Sequence, residues 1–343
     1  MSSTKLNIDV IVCTYNRPDK LTQLVNQLLT CNPLPNKIIV IDSSDEHNRF
    51  YSTNELVKTI VSSHKNQPYQ RFLGCHSSNA NYLLYLDDDM EIISLDVFEV
   101  LQNEIAKHEN LAGLVLKFED KHEDTSLSKI PKSNLLSNES VIKKIVNWIT
   151  CYPILPDGKF GLCGNRGKQP LNGGQTEWLS GGAFLAKRDS VFKNFNVQLF
   201  DLFEQKLGMG EDAIIGYGLS KQGHLIYFSS LLFYHNDQKD STYSTNQFEF
   251  AKRVIYSRLY ISLEKIRLDK ASFLYGKIYF HWYVFCRILG LFINYLKNKN
   301  KIRKDILSGS ISGWKKSFTF RFHKQIEDDN KWLVKAKKDS SDK

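Results

Sequence analysis

The sequence predicts an α/β protein, a mostly parallel central sheet with helices on both faces, plus a helical and basic C-terminal region. Three observations predict it. Short β-branched runs alternate with amphipathic stretches, polar residues gather where those runs end, and the charge changes sign near residue 245. IDVIVCTY (8–15) is the first run. Asn16-Arg17-Pro18-Asp19 and the helical pattern LTQLVNQLLTC follow it, and Pro33 and Pro35 end that helix. KIIVIDSSD (37–45) is a second buried strand, a helix is expected around 53–63, and NYLLYLDDD (81–89) runs straight into three carboxylates. A β–α–β–α–β order implies parallel strands, and such sheets bind ligands beyond their carboxyl ends. Here those ends hold Thr14-Tyr15-Asn16, Asp42-Ser43-Ser44 and Asp87-Asp88-Asp89.

Residues 119–176 are expected to form a long, irregular insertion with a short helix over 140–149. WLSGGAFLAKRDSVF (178–192) resumes order with a glycine pair, Gly181-Gly182, where backbone can approach a ligand. GEDAIIGYGLSKQGH (210–224) predicts a helix opened by Glu211 and Asp212, and LIYFSSLLFYHND (225–237) a strand reaching His235.

Several of these residue types have two readings. Asp87-Asp88-Asp89 is either a solvated acidic turn or a site for Mn²⁺ or Mg²⁺, which would neutralise the charge growing on a departing diphosphate. Crowding three carboxylates after an apolar strand is costly unless a cation shares their field. Asp42 either accepts hydrogen bonds from a nucleobase or simply forms a turn. Glu211 and Asp212 either take a proton from a nucleophilic hydroxyl or cap their helix. His235 is either a metal ligand or structural.

Taken in order, VIVCTYNRP, IIVIDSS, RFLGCHSSNANYLLYLDDD, WLSGGAFLAKRDSV and GEDAIIGYGLSKQGHLIYFSSLLFYH resemble the inverting family 2 glycosyltransferases of the GT-A fold, over roughly residues 6–240. That resemblance implies a Rossmann-like domain (1–244) and a hexosyl- or N-acetylhexosaminyl-transferase of bacterial polysaccharide or glycolipid type. It implies that Thr14, Asn16, Arg17 and Arg71 line the donor pocket with Asp88, that Asp42 reads the base, and that Gly181 and Gly182 border the sugar. It further implies a divalent metal held by Asp89, Asp87 and His235, with Asp212 as general base and Glu211 in support. Two departures stand out: the insertion is long, and the second strand ends Asp-Ser-Ser where Asp-Asp or Asp-Asn is commoner.

The rest of the chain differs in charge. Residues 1–244 hold 24 Lys/Arg against 28 Asp/Glu, whereas 245–343 hold 22 against 9, giving the whole its +9. Within 273–296, Lys277, His281 and Arg287 interrupt an aromatic stretch, so an in-plane helix on an anionic membrane fits better than a span. Packing on the catalytic domain is the alternative. KWLVKAKKDSSDK at the end is expected to be a solvated tail. MSSTKLNIDVIVCTYNR lacks a secretory pattern and the six cysteines form no CxxC pair, so free thiols in a reducing, cytoplasmic setting are expected. The expected partners are a nucleotide-sugar donor, a glycan or lipid-linked acceptor and the cytoplasmic face of the inner membrane, with no nucleic acid. A sugar nucleotidyltransferase would need a glycine-rich phosphate loop where CTYNRPDK stands, and a basic nucleic-acid binder would be repelled by the acidic cluster.

Overall fold

The computed structural model describes residues 7–121, 149, 153–194, 196–236, 246–322 and 331–341. Its strands are β1 (Ile8–Thr14), β2 (Lys37–Asp42), β3 (Val57–Val61), β4 (Tyr82–Asp87), β5 (Met90–Ile92), β6 (Leu111–Asp120), β7 (Gly174–Gln175), β8 (Ala183–Lys187) and β9 (His224–His235). They form one sheet in the order β3-β2-β1-β4-β8-β6-β9-β5, with β7 beside β9. β8, β5 and β7 run against the other strands, so the sheet is mostly parallel. Register puts Thr14 opposite Asp42 and Cys13 opposite Asp87, so three polar strand ends meet along one rim as expected.

Strand side chains alternate between two cores. Ile11, Ile39, Ile41, Leu83, Tyr85 and Phe184 face one core. Ile8, Val10, Val12, Ile38, Val40, Leu84 and Leu185 face the other. Helices α1 (Pro18–Thr30) and α3 (Val97–Ala106) cover the second core. Helix α1 does so with Leu21, Leu24, Val25 and Leu28, one stripe at helical spacing behind a proline in its first turn. Helices α2 (Gln67–Ser77), α4 (Arg188–Asn194), α5 (Gln198–Glu204) and α6 (Glu211–Ser220) lie over the first. Asn66 caps α2 by accepting from the Tyr69 N–H, and Gly74 lets that helix sit tight on β1, since a Cβ there would fall 2.3 Å from Ile11 Cγ2.

Two expectations are corrected. The stretch around 53–63 is not helical: Val57-Lys58-Thr59-Ile60-Val61 forms the edge strand β3, because its β-branched side chains suit a pleat better than a helix. The chain end is not a solvated tail either. It forms helix α10 (Lys331–Ser341), whose Trp332 and Ala336 are buried in the first core beside α2. Asp339 accepts hydrogen bonds from Tyr69 Oη at 2.8 Å and Ser63 Oγ at 2.9 Å. The helix expected over 140–149 lies outside the described residues apart from Ile149.

The C-terminal region is helical as expected: α7 (Gln247–Leu268), α8 (Phe273–Lys297) and α9 (Lys301–Ser317). These share a third core in which Ile255, Leu259 and Leu263 of α7 meet Phe280, Tyr283 and Val284 of α8. Helix α7 also holds the described end of the insertion: Ser262 Oγ donates to the Leu162 carbonyl at 2.8 Å. No helix among the described residues is long and apolar enough to cross a membrane.

Candidate active site

Arg71 organises the cleft at the carboxyl rim. It projects from α2, is only 3% exposed, and reaches three elements at once. Its guanidinium donates to Asp87 Oδ1 at 3.2 Å, to the Gly181 carbonyl at 2.9 Å and to Glu211 Oε1 at 3.3 Å. Burial opposes the Arg71 charge, but Asp87 and Glu211 outweigh it and hold the guanidinium firmly protonated. Burial also pushes Asp87 up to about 7, against the pull of Arg71 and with the help of Asp89 and Asp88. Glu211 is raised by burial first and by its neighbour Asp212 second.

The rest of the acidic motif turns the other way. Asp88 accepts from Thr14 Oγ1 at 2.7 Å, and Arg17 Nη1 bridges Asp88 and Asp89 at 3.2 and 2.9 Å. Pairing of β5 with β9 sets Met90 opposite His235, which brings that imidazole to Asp89. His235 Nε2 stands 3.4 Å from Asp89 Oδ1 and its Nδ1 stands 2.8 Å from Asp120. The first contact is at ion-pair distance without hydrogen-bond alignment, and Asp89 Oδ1 is buried without a hydrogen-bond partner. Burial opposes the charge on Asp89, but His235, then Arg17 and Lys20, hold its carboxyl below the usual range. The same pairing with Asp89 raises His235 to about 9.

Asp212 follows Glu211 in the first turn of α6, after Gly210 in the left-handed conformation (φ 74°). Arg166, from the insertion, stands 3.5 Å from Asp212 Oδ1 and lies over the Trp178 ring at 5.1 Å. Gly181 and Gly182 precede β8, and the Gly182 carbonyl accepts from the Asp87 N–H at 2.9 Å. A Cβ on Gly181 would lie 3.1 Å from Arg71 Nη2, and one on Gly182 would lie 2.2 Å from Met90 Cε. A cavity of about 320 Å³ gathers Arg71, Asp87, Gly181, Gly182, Glu211, Asp212 and His235 in one wall. A larger one of about 490 Å³, with Glu104, His108 and His224, opens at the start of β9, away from the rim where such sheets bind ligands.

Asn16 and Asp42 shape the adjoining loops. Asn16 sits at φ 55°, donates from Nδ2 to Asp45 at 2.8 Å and accepts the Asp45 N–H at 3.0 Å. Asp42 is 1% exposed, and its two oxygens accept the Ser44 and Phe50 N–H groups at 2.7 and 2.9 Å, so its turn-forming role is realised.

Other contributors had no motif to mark them. Gln67, one turn before Arg71, donates to Asp87 Oδ1 at 3.1 Å, and helical spacing from Arg71 was its only signal. Asp120 ends β6 and braces His235, as the strand-end rule allows. Arg166 lies in the irregular insertion, where no pattern singles it out. Among the described residues no three His, Cys, Asp or Glu side chains converge as metal ligands: Arg71 and Gln67 draw Asp87 away from the Asp89–His235 pair.

Comparison with known proteins gives three kinds of result. A search of curated proteins returned no match. Among solved structures, the S. aureus TarS 1-349 structure is 14% identical over 93% of this chain and 94% of that one, with a TM-score of 0.45. The mannosyltransferase PcManGT from Pyrobaculum calidifontis, in complex with GDP-Man and Mn²⁺, is 11% identical over 91% and 87%, with a TM-score of 0.49. TarS 1-349 in complex with UDP-GlcNAc is 12% identical over 93% and 94%, at 0.45. Residues 9–164, which hold β1, β2, β4 and the whole acidic motif, match Glycosyl transferase family 2. That segment, a little under half of the chain, is therefore similar to the family 2 glycosyltransferases.

Proposed function

We propose that this cleft transfers a hexosyl or N-acetylhexosaminyl group from a nucleoside-diphosphate sugar to an acceptor hydroxyl, with inversion at the anomeric carbon. The observation that carries the reading is the single cavity shared by Asp212, Glu211, Asp87, the glycine pair and His235. Asp212 takes the proton from the acceptor hydroxyl, whose oxygen forms the new bond to the anomeric carbon. The bond from that carbon to the diphosphate breaks and its electron pair leaves with the nucleotide. Glu211, held by Arg71, fixes the start of the base helix. Thr14, Asn16, Arg17 and Asp88 border the nucleotide, and Asp42 orders the loop that meets its base.

A divalent ion such as Mn²⁺ or Mg²⁺ fits the donor set. Asp89 Oδ1 is a buried carboxylate oxygen lacking a hydrogen-bond partner, and His235 faces it. Asp89 and His235 would hold the ion, and Asp87 would join them only by releasing Arg71 and Gln67. When bound, it would supply charge neutralisation for the departing diphosphate. Arg17 and Arg71 keep the acidic motif compensated.

The acceptor in this reading is a growing surface polysaccharide or glycolipid at the cytoplasmic face of the inner membrane, supported by the basic, aromatic C-terminal helices. The test is a nucleotide-sugar panel that includes UDP-GlcNAc and GDP-Man, assayed for thermal shift and donor hydrolysis with and without Mn²⁺. At least one donor is expected to stabilise the protein in a metal-dependent way. No such donor would refute the reading. Asp212→Asn is expected to keep donor binding and lose about 10²- to 10⁴-fold in turnover, and unchanged turnover would remove Asp212 as the base.

A further inference from the structure

We infer that the outer stripe of α8, with the basic turn after it, is the surface that seats this protein on an anionic lipid bilayer. The inference rests on the reading of a membrane-borne acceptor and gives it a place. Leu274, Ile278, Trp282, Phe285, Leu289, Phe292 and Leu296 recur every three or four residues, and each is between 46% and 68% exposed. At 1.5 Å per residue this stripe runs about 33 Å along one helix. From Phe285 to the helix end no residue is buried, although FCRILGLFINYL holds a single charge, Arg287. A helix that is apolar on most sides is ordinarily covered, and an exposed patch of this length marks an interaction surface.

Charge identifies what covers it. Lys297, Lys299, Lys301, Arg303 and Lys304 crowd the turn into α9 with no acid among them. Tyr275 and Tyr295 lie along the helix, and such rings suit the level of lipid headgroups, while the Trp282 indole between them donates to the Ile149 carbonyl. An apolar stripe ending in cations matches an acyl boundary beneath anionic headgroups. A second copy would set like charge against like, since residues 245–343 hold 22 basic and 9 acidic side chains. A nucleic acid would use the cations and leave the stripe in water. The opposite face of α8 is anchored: Phe280, Tyr283 and Val284 pack on α7. Ile261 of α7 in turn lies beside Gly210, immediately before Glu211 and Asp212, so the lipid seat is tied through one helix to the base.

The experiment is co-sedimentation of the full chain with vesicles of phosphatidylcholine alone, or mixed in equal parts with phosphatidylglycerol. Binding to the mixed vesicles only, weakened by salt, is the expected result. Phe285→Glu with Leu289→Glu is expected to lower partitioning about tenfold or more, by losing apolar insertion. Lys299→Glu with Lys301→Glu is expected to lower it about fivefold per site. Thermal melts and donor hydrolysis are read on the same samples, and both are expected to stay at wild-type level because these residues lie outside the cleft. The inference is overturned if wild type ignores mixed vesicles or if the stripe variant binds them equally. It is also overturned if light scattering shows a dimer that Leu289→Glu dissolves. Absent donor hydrolysis in wild type would instead strike the transferase reading, leaving the vesicle result to stand separately.

Discussion

Arg71 shows how much of the cleft depends on one buried guanidinium. It touches the acidic motif, the glycine pair and the start of α6, which come from distant parts of the chain. That convergence explains why Gly181 and Gly182 are glycines: side chains there would enter the space of Arg71, Met90 and Phe118. Gly182→Ala is therefore expected to cost about 1–3 kcal/mol by overpacking, because its Cβ would sit 3.0 Å from the Phe118 ring even after Met90 moved aside. Chemical denaturation measures this directly, and an unchanged midpoint would show that β8 and its neighbours yield freely. At this scale the sequence was informative where strand ends carried chemistry. Thr14, Asp87 and His235 could be placed from strand pattern alone. Arg166 and its partnership with Asp212 could not, because an irregular loop has no periodicity from which to infer a contact.

At the scale of elements, most of the sheet was legible because its strands are buried on both faces and appear as continuous apolar runs. The exception is instructive. β3 is an edge strand, so Val57-Lys58-Thr59-Ile60-Val61 mixes exposed and buried positions and resembles a helix stripe over a short window. The antiparallel insertion of β8 between β4 and β6 also left no local mark, since strand order is set by tertiary contact. The tie between α6 and α7 gives a prediction at this scale. Asp269, at the end of α7, accepts hydrogen bonds from Tyr217 at 2.6 Å and Lys265 at 2.8 Å and pairs with Lys221 at 2.8 Å. Burial opposes its charge, but Lys221, Lys265 and Tyr217 outweigh burial and hold its carboxyl below the ordinary 3.8. A depressed folded-state value means that this stabilisation is fully present above pH 3.8 and is lost as pH falls through the folded value. Asp269→Asn should cost about 1–2 kcal/mol at neutral pH, a figure reduced for partial exposure. The gap from wild type should narrow in acid, and urea melts at neutral and acid pH would expose a constant gap if Asp269 acted by packing alone.

Over the whole molecule, charge and hydrophobicity divide the work. The front builds a nearly neutral α/β unit, the three helices after it carry the basic excess, and α10 returns to pack beside α2 in the first core. That return was not legible, because KWLVKAKKDSSDK has too few apolar residues to announce a buried helix. Two of them suffice. Trp332 is 3% exposed, lies against Tyr69, Phe200 and His64, and donates from Nε1 to Asp201 at 3.0 Å, while Ala336 is fully buried. Asp339 of the same helix holds Ser63 and Tyr69. Two residues after Ser63, Lys65 donates to Tyr15 at 2.8 Å and to Asp45 at 3.0 Å, at the loops bordering the proposed nucleotide pocket. The C-terminal helix thus braces these loops from behind. Trp332→Ala should destabilise the fold by about 3–5 kcal/mol through the cavity it leaves. A milder change separates bracing from folding: Asp339→Asn weakens the acceptor for Ser63 and Tyr69 while Trp332 stays buried. It should raise the KM for the donor with little change in kcat, because the loop proposed to border the nucleotide loosens while Asp212 and Arg71 keep their places. Equal falls in kcat and kcat/KM would instead mean that α10 acts on the reacting centre, and wild-type kinetics would mean that it does not reach the pocket at all.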